Sequence, residues 1–314
     1  KTEGNYNNEI GLPLTILRYH DEEVLVLEMG MNHLQEMSRL SMIARPDIAC
    51  ITNVGTAHIG ELGSRENILK AKLEIINGMK EGSTLIINQD NDMLQTVELP
   101  HLNVVRVGKD KEASIQASHI VLEETKSSFE VEYQGKKEII EVPVQGEHNI
   151  SNALIAIAVG IELNISLEDI KKGIQEFKLT KNRMDILEKN HKTVIDGTYN
   201  ASVDSMKSSI DVLANYKKRK VAILADMLEL GDYSQQLHEE VGSYVASKGI
   251  DILVCVGKEA KYIYQKARES MKDVYYFESN QEVIARLDEL LKEDDVILVK
   301  GSHSMNLKEV VEKI

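Results

Sequence analysis

The sequence predicts an α/β protein with a mostly parallel sheet in each of two domains. Three observations carry that prediction. Short apolar runs alternate with helix-like stretches along most of the chain, and strand-then-helix order favours parallel pairing. The rhythm breaks once, between residues 118 and 144, where period-two alternation takes over. It restarts after a polar stretch at residues 178–182, and 314 residues suit about two domains of roughly 150 residues each.

In the first half, Val24-Leu25-Val26-Leu27-Glu28 reads as a strand ending on a carboxylate, and His33 to Ala44 as a helix. Asp47 to Asn53, opened by Pro46, is the next strand. Ser64 to Met79 reads as a second helix and Thr84 to Asn88 as a further strand. The alternating Phe129-Glu130-Val131-Glu132-Tyr133, followed by the turn signal Gln134-Gly135-Lys136, predicts an antiparallel hairpin insert. Gly146-Glu147-His148-Asn149 opens an apolar helix through Gly160, and Ser166 N-caps a helix from Leu167 to Phe177.

After the polar stretch the strands are Thr193 to Asp196, Lys220 to Leu224, Ile252 to Val256, Val274 to Phe277 and Val296 to Val299, with helices between them. This predicts a second, doubly wound domain of Rossmann type over residues 181–314. In such sheets ligands collect at the carboxyl ends of the strands.

Composition narrows the function. Lys plus Arg total 37 against 51 Asp plus Glu, a net charge of −14. Nucleic acid and anionic membranes attract basic surfaces, so neither is expected as a partner. No apolar run approaches the ~20 residues of a membrane span. Cys50 and Cys255 each sit inside an apolar run and read as buried thiols of a reducing compartment. A cytoplasmic protein is expected. The chain opens without Met on Lys1-Thr2-Glu3-Gly4-Asn5, which reads as a fragment.

The candidate residues lie at predicted strand ends. Glu28 could hold Mg²⁺, which takes oxygen ligands; the bland alternative is a solvated strand end. His58, in the loop Asn53-Val54-Gly55-Thr56-Ala57-His58, could ligate metal or contact phosphate, but lone loop histidines are more often structural. Lys72 matters only if its helix points it at the strand ends; otherwise it pairs with a nearby Glu on a solvated face. Asn149 and Asn152 carry amides that can read an adenine edge, and Asn149 could equally cap its helix. Three polar loops follow strands of the second domain: Asp196-Gly197-Thr198-Tyr199-Asn200, Asp226 to Gly231, and Lys300-Gly301-Ser302-His303. Together they outweigh any one of them. No G-x-x-x-x-G-K-[ST] phosphate loop is present.

Taken in order and spacing, these segments resemble the Mur ligases, the ATP-dependent amide ligases of peptidoglycan precursor synthesis. The matching pieces are Glu3 to Gly11, Leu27 to Gly30, Asn53 to His58, Ala71 to Ile75, Gly146 to Leu154, Tyr199-Asn200-Ala201, Asp226 to Gly231 and Lys300-Gly301-Ser302. Asn5-Tyr6-Asn7-Asn8 and Asp226-Met227-Leu228-Glu229-Leu230-Gly231 place the resemblance closest to the MurF type, which joins D-Ala-D-Ala to UDP-N-acetylmuramoyl-tripeptide.

The resemblance implies a fold and a chemistry. Residues 1–180 would be the central ATPase domain, truncated at its N-terminus after the phosphate loop, and residues 181–314 the C-terminal Rossmann-like domain. A chain so truncated is expected not to turn over ATP. ATP would phosphorylate the tripeptide carboxylate to an acyl phosphate, and the amine of D-Ala-D-Ala would displace phosphate. Glu28 and His58 would hold Mg²⁺, and Lys72 matches the lysine that the family carbamylates into an oxygen ligand. Asn152, with His148 and Asn149 beside it, would lie at the adenine. Arg183 would reach the nucleotide phosphates, and Asp196 would be nucleotide-binding. Asn7 and Asn8 would line the approach to the substrate or the γ-phosphate, and Tyr199, Asn200 and Asp226 would help place the peptide or dipeptide. A monomer is expected.

Two positions depart from the family pattern: Gly197 stands where Asp is usual, and His303 where Arg follows Lys-Gly-Ser. The competing readings are a folylpolyglutamate-synthase-like ligase and a non-catalytic binding module that keeps the fold.

Overall fold

The computed structural model describes residues 1–133, 135–177 and 184–314. By its internal contacts the chain forms two compact units. The first comprises Lys1–Ile120, Ser128–Glu141 and Ile150–Ile174; the second comprises Val121–Ser127, Val142–Asn149 and Gln175–Ile314.

The first unit opens with helices α1 (Gly11–Ile16) and α2 (Glu36–Ala44), then strand β1 (Ile48–Ile51), the single-turn helix α3 (Ile59–Leu62) and α4 (Arg65–Leu73). Ser64 caps α4 as its hydroxyl accepts the Asn67 N–H at 3.2 Å. The helix read as Ser64 to Met79 tightens midway, and Glu74–Gly78 is a 3₁₀ segment. Strands β2 (Thr84–Asn88), β3 (Asn103–Gly108), β4 (Ile115–Leu122), β5 (Ser127–Tyr133) and β6 (Lys136–Val142) follow, and the sheet order is β1-β2-β3-β4-β5-β6. The pairs from β1 to β4 are parallel. β5 and β6 are joined by two residues, too few for a parallel crossover, so this hairpin is antiparallel. The hairpin is therefore an extension of the central sheet.

Helix α5 (Glu147–Glu162) buries Ile150, Ala153, Leu154, Ile157 and Ala158, a helical stripe of the kind that docks on a sheet. Thr84 of β2 donates its hydroxyl to Glu162 at 2.8 Å. Helix α6 (Leu167–Gln175) is capped by Ser166, as expected.

One expected strand is not formed. Val24 to Glu28 is irregular, and its valines are 47% and 59% exposed. The Thr2 N–H bonds Val26 O, and the Thr2 hydroxyl accepts the Glu28 N–H. An apolar run becomes a strand only when a neighbour supplies a ladder of such bonds.

The second unit contains β7 (Asp185–Lys189), β8 (Lys192–Gly197), α7 (Val203–Ala214), β9 (Lys220–Ala225), α8 (Ser234–Ser247), β10 (Ile252–Val256), α9 (Ala260–Ala267), β11 (Val274–Phe277) and β12 (Val296–Lys300). The sheet order is β11-β10-β9-β12-β8-β7, all parallel except the edge pair β7–β8. β9, β10 and β12 are buried along their length apart from Lys220, which is why they read as unbroken apolar runs. Val221, Ile223, Val254, Ile297 and Val299 form part of the core. Cys255 is fully buried and Cys50 is partly buried; both are free, and burial pushes the Cys50 thiol up to about 11. Among the described residues no helix is long and apolar enough to cross a membrane.

Candidate functional site

The strand order places β12 between β9 and β8, so the loops leaving their carboxyl ends adjoin. The middle strand ties the other two down. Lys300, at the end of β12, is buried and donates from Nζ to Asn200 O at 2.8 Å and Gly197 O at 3.5 Å, across the loop after β8. Burial lowers its pKa to about 8, partly opposed by the Asp196 carboxylate. Asp196 is itself buried and accepts from the Thr198 N–H at 3.0 Å and hydroxyl at 2.7 Å. On the other side, the Ser302 N–H donates to Asp226 O at 3.0 Å, and the Ser302 hydroxyl accepts the Leu228 N–H at 2.9 Å.

Asp226 is anchored further. Its buried carboxylate accepts the N–H groups of Lys258 (3.1 Å), Glu259 (3.0 Å) and Ala260 (2.7 Å), where α9 begins. A carboxylate there satisfies orphan donors and faces the positive end of the helix. Gly257 permits the approach: its φ is +112°, and a Cβ would sit 2.5 Å from the Asp226 carboxylate. The Met227 N–H donates to His238 Nε2 at 3.0 Å, while His238 Nδ1 faces Ser234 O at 2.7 Å. The ring is thus neutral with its proton on Nδ1, and burial holds its pKa below the ordinary range. Glu229 sits at φ +63°, a left-handed conformation rare for a side chain with no turn chemistry of its own. The loop is fixed from three sides, and it exposes Leu228 and Glu229.

Tyr199 and Asn200 are exposed on the β8 loop. Tyr199 tilts toward His303 with ring centroids 6.2 Å apart, so the His303 departure faces a predicted site residue. Asn200 Oδ1 accepts the Ala201 N–H, and its backbone carbonyl is the one that Lys300 holds. A Cβ at Gly197 would meet ordinary contacts from 3.4 Å outward, so packing does not demand glycine there.

In the second unit a cavity of about 280 Å³ is walled by Pro143, Val144, Phe177, Met184, Ile186 and Val212. His148, Asn149 and Gln145 supply polar groups. Gly146, at φ +106°, leaves room for the His148 ring, which a Cβ would meet at 2.6 Å. Burial, then the Lys300 charge, holds the His148 pKa down. Asn149 is not the helix cap that the alternative reading suggests; it lies within α5 and donates its Nδ2 to Gln145 O at 2.8 Å. Asn152 lies one turn further along α5 and is exposed. Arg183 lies outside the described residues.

In the first unit Asn7 and Glu28 meet: Asn7 Nδ2 donates to the Glu28 carboxylate at 3.0 Å, and the Gly30 N–H donates to Asn7 O at 2.8 Å. Asn8 Oδ1 accepts the N–H groups of Ile10 and Gly11, which makes it a cap for α1. His58 sits at φ +63° just before α3. Lys72 is partly buried on α4, and burial lowers its pKa. Among the described residues no group of three or more His, Cys, Asp or Glu is placed to hold a metal ion.

Lys300, Ser302 and His238 organise the strand-end loops and were not among the candidates. The first two lie in a segment whose position was noted. No local signal in the sequence marks His238, because its role depends on a contact with Met227.

The profile of the Mur ligase middle domain matches residues 1–160, and that of the Mur ligase glutamate ligase domain matches residues 182–303. The UDP-N-acetylmuramoyl-tripeptide–D-alanyl-D-alanine ligase of Bacillus subtilis is 37% identical over 321 residues, covering 100% of this chain and 69% of the relative. A crystal structure of MurF from Acinetobacter baumannii superposes with TM-score 0.92 at 30% identity, covering 99% of this chain and 69% of that one. MurF ligase from Thermotoga maritima in complex with ADP superposes with TM-score 0.88 at 28% identity, covering 99% and 72%. With both halves matched and a relative aligned along the whole of this chain, the chain belongs to the Mur ligase family.

Proposed function

We propose that the protein carrying this chain is the ATP-dependent ligase that joins D-Ala-D-Ala to UDP-N-acetylmuramoyl-tripeptide. The observation that supports this reading is the 37% identity, along the whole of this chain, to the B. subtilis ligase of that name. In the reaction a carboxylate oxygen of the tripeptide attacks the γ-phosphorus of ATP, and ADP leaves. The dipeptide amine then attacks the acyl carbon, loses a proton, and inorganic phosphate departs with the former C–O bond pair. In this reading residues 1–180 are the ATP-binding domain and residues 181–314 are the C-terminal domain, which adds its own residues to the nucleotide site and carries the acceptor residues.

The residue roles follow the chemistry available. His148, Asn149 and Asn152 on α5 serve the adenine, and Arg183 and Asp196 the rest of the nucleotide. Tyr199 and Asn200 serve the acceptor from an exposed loop. Asp226 acts as a positioning residue, since its carboxylate is engaged by α9. Asn7 orients Glu28, and Asn8 acts through the cap on α1.

For the cation, Glu28 and His58 are two donors of the right type, and Lys72 would complete the set as a carbamate. Carbamylation needs a neutral amine, and the burial that lowers the Lys72 pKa favours it. Bound Mg²⁺ would supply charge neutralisation at the phosphoryl oxygens. We place the reaction in the bacterial cytoplasm, where ATP and UDP-linked precursors are made.

Phosphate release tests the function. The full-length protein carrying this chain, given ATP, Mg²⁺ and UDP-muramoyl-tripeptide, is expected to release phosphate continuously only when D-Ala-D-Ala is added. No dependence on the dipeptide would refute the reading.

A further inference from the structure

We propose that Lys300 is a positioning residue for the acceptor dipeptide: its buried ammonium holds the main chain between β8 and α7 in the shape that Tyr199 and Asn200 need. The inference rests on the reading of those two residues as acceptor residues and goes beyond it by naming the group that pre-organises them. The loop is short and anchored at both ends. At its entry the Thr198 N–H and hydroxyl both donate to Asp196 Oδ1. At its exit Ala201 is buried, and Ser202 and Ser205 cap α7 reciprocally. Between these anchors Tyr199 and Asn200 are exposed. Lys300 reaches across from β12 to this middle part, where Nζ donates to Asn200 O at 2.8 Å and lies 3.5 Å from Gly197 O.

Lysine is a costly choice for this position. The residue is only 5% exposed, its partners are carbonyls, and the Asp196 charge offsets the burial only in part. An apolar side chain of the same length would fill the space without that cost. What the ammonium adds is a charge-assisted bond to the main chain of an exposed loop. A loop already held in its binding shape loses less freedom when a ligand docks, so the gain appears as affinity for whatever the loop meets. His148 also feels the Lys300 charge, but it lies on α5, outside this loop. Loss of the ammonium should therefore fall on the acceptor more than on the nucleotide.

Steady-state kinetics of the full-length protein test this, with D-Ala-D-Ala varied at saturating ATP, Mg²⁺ and UDP-muramoyl-tripeptide, and then ATP varied. The variants are Lys300→Met, Tyr199→Ala and the two together. Lys300→Met is expected to raise KM for the dipeptide about tenfold and to leave KM for ATP within about twofold. Tyr199→Ala should lower kcat/KM for the dipeptide by a similar factor, roughly tenfold. The double variant should lose little more than either single one, because Lys300 acts through the loop that carries Tyr199. An unchanged dipeptide KM, equal losses for ATP and dipeptide, or losses that multiply in the double variant would each overturn the proposal. Lys300→Gln, a neutral donor on a shorter stem, carries the same criteria if Lys300→Met does not fold. Tyr199→Ala without effect on the dipeptide would remove the acceptor reading of the loop, and this proposal with it.

Discussion

Replacing Lys300 by Met tests the central tie of the strand-end loops. Met matches the lysine stem in length and removes the ammonium that Asn200 O and Gly197 O accept from. Burial takes the Lys300 pKa from 10.5 to about 8. At about 1.4 kcal/mol per pH unit, that lowering corresponds to about 3.5 kcal/mol of penalty on the charged form in the native state. The sign follows from proton counting. Between about pH 8 and 10.5 the unfolded chain still holds the proton that the native state has released, so native stability rises with pH across that window. Below pH 8 both states are charged and the full penalty stands. Urea unfolding of wild type and Lys300→Met at pH 7 and pH 10 isolates the effect, because every other titrating group is common to both proteins. From pH 7 to pH 10 wild type should gain about 2.5 kcal/mol relative to the variant. A difference that stays constant across that range would refute the argument and assign Lys300 an ordinary pKa.

Other substitutions test the surrounding contacts. Asp226→Ala strands three N–H groups where α9 begins and should cost about 3 kcal/mol in denaturant unfolding; a loss below about 1 kcal/mol would mean that solvent replaces the carboxylate. His238 has its pKa lowered by burial, so stability should fall as pH drops below about 6.5 toward the native-state pKa. His238→Gln should make that fall shallower without abolishing it, because His148 titrates with the same sign; an unchanged slope would remove His238 from the account. Lys72→Ala in the full-length protein should lose activity at least roughly a hundredfold, and bicarbonate should not restore it. Carbon-13 bicarbonate should give wild type a carbamate resonance that the variant lacks. Near-normal activity would take Lys72 out of the mechanism.

The strands of the second unit were legible because central parallel strands are buried on both faces, as the runs at Val221–Ala225 and Ile252–Val256 are. β7 was not legible: five residues alternating between partial and full exposure, at a sheet edge, carry little apolar signal. Val24 to Glu28 shows the opposite failure, since composition alone does not provide a pairing partner. At the candidate site, the strand-end rule located Asp196 and Asp226 from sequence, and of Lys300 it located only the segment. What each carboxylate holds was not legible, because the partners of Asp226 lie 32 to 34 residues away and are backbone groups with no side-chain signature. The cap formed by Asn8 was hidden likewise, as Asn serves turns and ligands with the same atoms.

The loop from Asp226 to Gly231 separates two jobs that loops usually mix. Its shape is held by main-chain bonds and by side chains that point inward, at Asp226, His238 and Ser302. The exposed Leu228 side chain contributes none of those bonds. Exchange at Leu228 can therefore change what the loop meets while those bonds stay in place. A lineage could vary the outward surface there while the supporting scaffold stayed fixed, and an engineer could alter it on the same frame.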